Sequence, residues 1–186
     1  MLLKEKVKQL VDRYKGDTLG MRRHLHAYPE LSFKEFDTVN YVKEQLESFG
    51  IREFESIANT GLIAYIRGNN PDKKVIALRA DMDALPIHEK NDVAYKSKNQ
   101  GVMHACGHDV HTSSLLGASR ILQELSSSFE GSIKLLFQPG EELLPGGASI
   151  MIEEGALETP RPSNIVGQHV MPLIDAGKVG FRSGMY

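Results

Sequence analysis

The chain has 186 residues, 41% hydrophobic and 25% charged, the make-up of one globular domain with a core of useful size. Its 22 basic and 24 acidic residues leave a net charge of −2 without a basic block, so neither nucleic acid nor an anionic membrane is expected as a partner. No apolar run reaches membrane-spanning length and no charged-then-apolar leader opens the chain. The one cysteine, Cys106, lacks a partner for an intrachain disulfide, which fits a reducing cytoplasm.

The opening MLLKEKVKQLVDRYKG is amphipathic, with Leu3, Val7, Leu10, Val11 and Tyr14 at helical spacing. A second helix is predicted over residues 34–49, where Phe36, Val39, Val42, Leu46 and Phe49 share a face and Gly50 provides the stop. Residues 62–66 read as a strand, Asn69-Asn70-Pro71-Asp72 as a turn, and 75–78 as a short central strand. A helix is predicted over 111–125, its buried stripe formed by Leu115, Leu116, Ile121, Leu122 and Leu125. A buried strand at 133–137, a short helix at 148–154 and a strand at 165–170 follow. Residues 178–182 read as a strand that stops with the chain, and so as part of a longer fold. This alternation predicts an α/β sheet covered on both faces.

In such sheets ligands bind beyond the carboxyl ends of the strands, and three polar clusters are expected there. Arg79-Ala80-Asp81-Met82-Asp83-Ala84-Leu85-Pro86 follows one strand, and Gln138-Pro139-Gly140-Glu141-Glu142 follows another. Met103 to His111, reading MHACGHDVH, precedes a helix, and His169 ends a further strand.

Cys106 and His108 are separated by one glycine, a spacing that lets a thiolate and an imidazole turn toward one point, and both suit zinc and similar cations. A lone Cys-x-His is more often a buried free cysteine beside solvent-facing histidines. Three histidines, one cysteine and an aspartate within eight residues favour a metal. The adjacent Glu141 and Glu142 can divide the work, one binding metal and the other acting as base, with partial burial raising the base toward its working range. Taken alone, such a pair is more often a solvated acidic turn. Asp81 and Asp83 can orient ligand side chains or simply accept backbone hydrogen bonds at a turn. His24, His26 and His88 read as structural or surface residues. A Cys106–histidine nucleophile is the competing reading. It is weaker because such partners come from distant segments and because it leaves the glutamate pair without a role.

Together the motifs resemble the peptidase M20 family, in its amidohydrolase branch of N-acyl-amino-acid, hippurate and auxin-conjugate hydrolases. The matching stretches are Arg22-Arg23-His24-Leu25-His26 with Pro29-Glu30-Leu31, then Leu78 to Pro86, His104-Ala105-Cys106-Gly107-His108-Asp109 with His111, Gln138 to Glu142, and Gly167-Gln168-His169. The resemblance implies a three-layer α/β/α sandwich with a mixed, mostly parallel sheet of the zinc-exopeptidase kind. It implies Cys106, His108, Glu142 and His169 as metal ligands, Glu141 as general base, and Asp83 as support for the metal centre. Two divalent ions (zinc, manganese, cobalt or nickel) would activate a water that Glu141 deprotonates, cleaving the amide bond of an N-acyl amino acid or a related peptide-like amide.

Members of that family are longer. They carry an inserted, often dimerising domain and a returning segment with one more ligand histidine, so residues 1–186 are expected to be the N-terminal part of a catalytic domain, with homodimerisation a property of the full-length form. A hydrolase by lineage and a non-catalytic remnant with a partial metal site are the two functional expectations.

Overall fold

The computed structural model describes residues 2–181 and 183–184. Helix α1 (Leu3–Ala27) runs well past its amphipathic opening, because Met21 and Leu25 continue the apolar spacing of Leu10 and all three are buried. Helix α2 (Phe36–Ser48) buries Val42 and Leu46, and Gly50, at φ +89, turns the chain away from it. Strands β1 (Phe54–Ile57) and β2 (Gly61–Arg67) form an antiparallel hairpin. Strand β1 was not anticipated: it is four residues long with two exposed side chains, too short for a periodic signal.

Strand β3 (Val75–Asp81) leads through a long loop to α3 (His108–Glu124), then β4 (Ser132–Gln138), α4 (Gly147–Glu153) and β5 (Asn164–Gly167). Helix α3 begins earlier than its apolar stripe suggested. Gly107, at φ +98, turns the chain into it, so His108 and His111 lie on its first turn. Strand β5 ends before His169. Residues 178–181 do not form the expected strand, and Arg182 lies outside the described residues.

The five strands are ordered β1-β2-β4-β3-β5. The sheet is mixed, as expected, but not mostly parallel: β1–β2 and β2–β4 are antiparallel, β3–β4 and β3–β5 parallel, because the β1–β2 hairpin inserts a reversed strand beside β4. Alternation along the strands loads both faces. Leu62, Ala64, Ile66, Leu135 and Phe137 pack with Met21, Val42, Leu46, Leu115 and Leu116 of the α1–α3 layer. Ile63, Tyr65, Ala77 and Leu136 pack with Met151 of α4. The registers Asp81↔Gln138 and Arg79↔Gly167 bring the carboxyl ends of β3, β4 and β5 to one edge of the sheet, where the polar loops gather. No helix among the described residues is long and apolar enough to cross a membrane.

Candidate metal centre

Three segments meet at that edge: the Cys106-Gly107-His108 entry to α3, the loop after β4 and the loop after β5. Gly107 allows the meeting twice over. Its φ of +98 suits glycine, and a Cβ there would overlap the Val170 methyl of the β5 loop. Cys106 Sγ lies 3.4 Å from His169 Nε2. Cys106, His108 and His169 form one group of metal-competent atoms, and His108, Glu141 and Glu142 form another, with atoms within 4.8 Å of one another in each.

His108 joins the two groups. Its Nδ1 lies 2.9 Å from the Asp83 carbonyl and 3.2 Å from the Asp83 carboxylate. Both are acceptors, so Nδ1 carries the proton and Nε2 the lone pair. That Nε2 is buried and has no hydrogen-bond partner among the described residues. It stands 3.8 Å from Glu142 Oε1 and 4.0 Å from Glu141 Oε2. His169 is arranged alike: Nδ1 is 2.6 Å from the Val170 carbonyl, leaving Nε2 toward Cys106. Two imidazole lone pairs, a thiol and two carboxylates around one buried, unpartnered nitrogen fit a divalent cation of the zinc type.

A third group, Asp81, His108 and His111, also meets the distance condition, but its atoms are already engaged. His111 Nδ1 donates to Asp81 Oδ1 at 2.6 Å and its Nε2 accepts the Val170 N–H at 2.9 Å. Asp81 Oδ2 accepts from Arg79 at 2.5 Å. His111 is therefore a brace between β3, α3 and the β5 loop rather than a free ligand. Asp81 braces and Asp83 orients, as sequence spacing allowed.

Burial drives the Asp83 carboxyl upward, but His108, the Ser32 hydroxyl and the Glu142 and Glu141 amides outweigh it and hold the group at about 2. Burial and the surrounding Glu142, Asp81 and Glu141 push the Cys106 thiol up to about 11. Burial disfavours the His108 imidazolium, yet Asp83, Asp81 and Glu142 more than compensate, so its value is raised. This excess of negative charge suits a cation.

Every predicted ligand position (Cys106, His108, Glu142, His169) and the predicted base, Glu141, thus lie at one place, with Asp83 behind His108. One expectation needs correction. The Glu141 side chain is 43% exposed rather than partly buried, whereas the Glu142 side chain, 23% exposed, is partly buried as expected. His26, read as structural or surface, is buried and bonded to Asp109 and Glu89. The supporting roles of two residues escaped sequence reasoning. His111 lies one helical turn beyond His108, a signal hidden by starting α3 at residue 111. Glu35, bonded to the Gly140 amide at 2.7 Å, looks in sequence like any acidic residue at a helix start.

Residues 77–184 match the family described as Peptidase family M20/M25/M40. The chain is 46% identical over 183 residues to an N-acyl-L-amino acid amidohydrolase of Geobacillus stearothermophilus, covering 98% of this chain and 49% of that protein. It is 48% identical over 166 residues to an N-acetyl-L-cysteine deacetylase of Bacillus subtilis, covering 89% and 39% respectively. A Bacillus subtilis dinuclear metal-binding peptidase of the M20 family, solved by crystallography, superposes with a TM-score of 0.86 at 39% identity, over 93% of this chain and 48% of that one. The chain thus spans about half the length, or less, of the curated relatives it matches.

Proposed function

The chain belongs to the M20/M25/M40 peptidase family, and on that premise we propose that it supplies the N-terminal part of a dinuclear amidohydrolase centre acting on N-acyl amino acids or related small amides. The observation that carries this reading is the buried Nε2 of His108, free of hydrogen bonds among the described residues and faced by Cys106, His169, Glu141 and Glu142. Cys106, His108, Glu142 and His169 are the proposed ligands, a donor set compatible with zinc, manganese, cobalt or nickel. When bound, the two ions supply Lewis acidity and lower the pKa of a water.

The chain's own groups do the rest. Glu141, exposed and beside the ligands, takes the proton of the attacking water as its oxygen bonds to the amide carbon, then returns it to the amine as the C–N bond breaks. The products are a carboxylic acid and an amino acid. Asp83 fixes the His108 tautomer and orientation. The relatives named for N-acyl-L-amino acids and N-acetyl-L-cysteine support small acyl groups as substrates. The lone thiol supports a reducing, cytoplasmic setting. A second reading, a partial metal site without turnover in this chain alone, rests on the chain spanning 49% of the amidohydrolase relative.

Elemental analysis after loading with Zn2+ or Mn2+, together with hydrolysis of an N-acetyl-L-amino acid, tests both. Two bound ions with turnover support the hydrolase. One ion without turnover supports the partial site, and no bound ion sinks both.

A further inference from the structure

Glu35 is a fully buried acid, 0% exposed, at a place where sequence suggests an ordinary helix-start glutamate. Burying a carboxyl group is costly unless its oxygens are engaged. Here one oxygen accepts the Thr60 hydroxyl at 2.5 Å and the other the Gly140 N–H at 2.7 Å. Gly140 directly precedes Glu141, and its backbone is fixed from other sides as well. Its carbonyl accepts the Gly147 N–H at 2.9 Å, and a Cβ on it would overlap the Phe33 ring. Phe33 itself holds φ +61, a left-handed conformation that a bulky residue seldom adopts without a local demand. Three residues before Glu35, Ser32 donates to Asp83 at 2.6 Å, and Asp83 in turn accepts the Glu142 amide at 3.0 Å. Residues 32–35 therefore hold both sides of the glutamate pair.

The Glu141 side chain is 43% exposed and reaches no closer than 4.0 Å to His108 Nε2. Its direction is set by its backbone rather than by side-chain bonds. We infer that Glu35 is a positioning residue: by anchoring the Gly140 amide it sets the position of Glu141. The inference rests on the proposed base role of Glu141.

The test compares the wild-type chain with Glu35→Ala, Glu35→Gln and Glu141→Gln, loaded with Mn2+ for turnover of N-acetyl-L-methionine and with diamagnetic Zn2+ for amide exchange followed by NMR. Glutamine keeps an acceptor for the Gly140 N–H and a donor for Thr60, so it serves as the conservative rescue. For Glu35→Ala the expected result is a fall in kcat of about 10- to 100-fold, as for a reacting group displaced by ~1 Å. KM and bound Mn2+ should stay within about twofold, and Glu35→Gln should recover most of the loss. The Gly140 amide should exchange about 100-fold faster in Glu35→Ala while β4 amides keep their protection. Unchanged kcat, or a joint loss of kcat, Mn2+ and β4 protection, overturns the inference. Turnover that survives Glu141→Gln sinks the base role and the inference built on it. That outcome is told apart from failure of the anchor by Gly140 exchange, which would still accelerate. In a wild-type chain without turnover, Gly140 exchange and the crystallographic position of Glu141 in Glu35→Ala decide: an accelerated, displaced loop upholds the anchor, and an unmoved loop overturns it.

Discussion

Among the described residues, the imidazole of His108 is hydrogen-bonded by Asp83 alone, through both its backbone carbonyl at 2.9 Å and its carboxylate at 3.2 Å. Removing the carboxylate leaves the carbonyl bond but loosens the ring about its axis. Asp83→Ala should therefore lower Zn2+ or Mn2+ affinity by about 10- to 100-fold, the usual cost of losing a group that orients a ligand. Titration calorimetry would measure it. Unchanged affinity with an intact circular dichroism spectrum would assign the orienting role to the carbonyl alone.

The same carboxylate makes acid stability depend on pH in a known direction. Its folded value, about 2, lies below the ordinary 3.8. A depressed folded value contributes stability above the unfolded pKa and loses it as pH falls through the folded one. The window is thus about pH 4 down to pH 2, and the contribution is about 2 kcal/mol. Urea midpoints of the metal-free chain should fall across that window, and Asp83→Asn should flatten the fall. Parallel curves for the two proteins would count against the assignment.

Burial and the carboxylates around Cys106 hold its thiol at about 11, so it is protonated in the metal-free chain at pH 8. Binding of Zn2+ as a thiolate complex must expel that proton. Calorimetry in buffers of different ionisation enthalpy should report about one more proton released by wild type than by Cys106→Ser. Iodoacetamide should modify metal-free Cys106 slowly, since the thiolate is the nucleophile. Equal proton release by the two proteins would remove the thiol from the ligand set.

Gly107→Ala places a methyl against Val170 at a left-handed backbone position. Strain and overlap together should cost about 2 to 4 kcal/mol by urea denaturation. Zn2+ binding should weaken at the same time, because the Cys106–His108 turn cannot relax independently. Wild-type stability in this variant would show that the β5 loop yields freely.

Most of the sheet was legible in sequence for a physical reason, whereas the proposed ligand set of Cys106, His108, Glu142 and His169 came from the resemblance to the M20 family. Runs such as residues 133–137 sit inside the sheet and are apolar but for the buried Lys134, and strand ends must carry the polar loops. The Cys106–His108 spacing and the Glu141–Glu142 pair are local and survive translation into geometry intact. What escaped depends on contacts distant in sequence. Glu35 is defined by Gly140, which is 105 residues away. The greater exposure of Glu141 than of Glu142 depends on how the loop after β4 turns, which no local pattern records. The role of His111 required knowing that Gly107 starts the helix.

Strand β2 alone runs against the direction of the other four, so it begins where they end, with Leu62 beside Phe137. Its hairpin tip, Ala58 to Thr60, therefore sits beside the Gln138–Glu142 loop; Thr60 reaches Glu35, and Gly61 lies against Pro139. The turn at Asn70 to Asp72 lies at the far edge, where Arg67 faces Ser132. Two surface turns that look equally permissive are thus unequal places to splice in an epitope or a fluorophore. The far one should accept a graft silently, while one at the hairpin tip would be transmitted to Glu141 within two residue contacts.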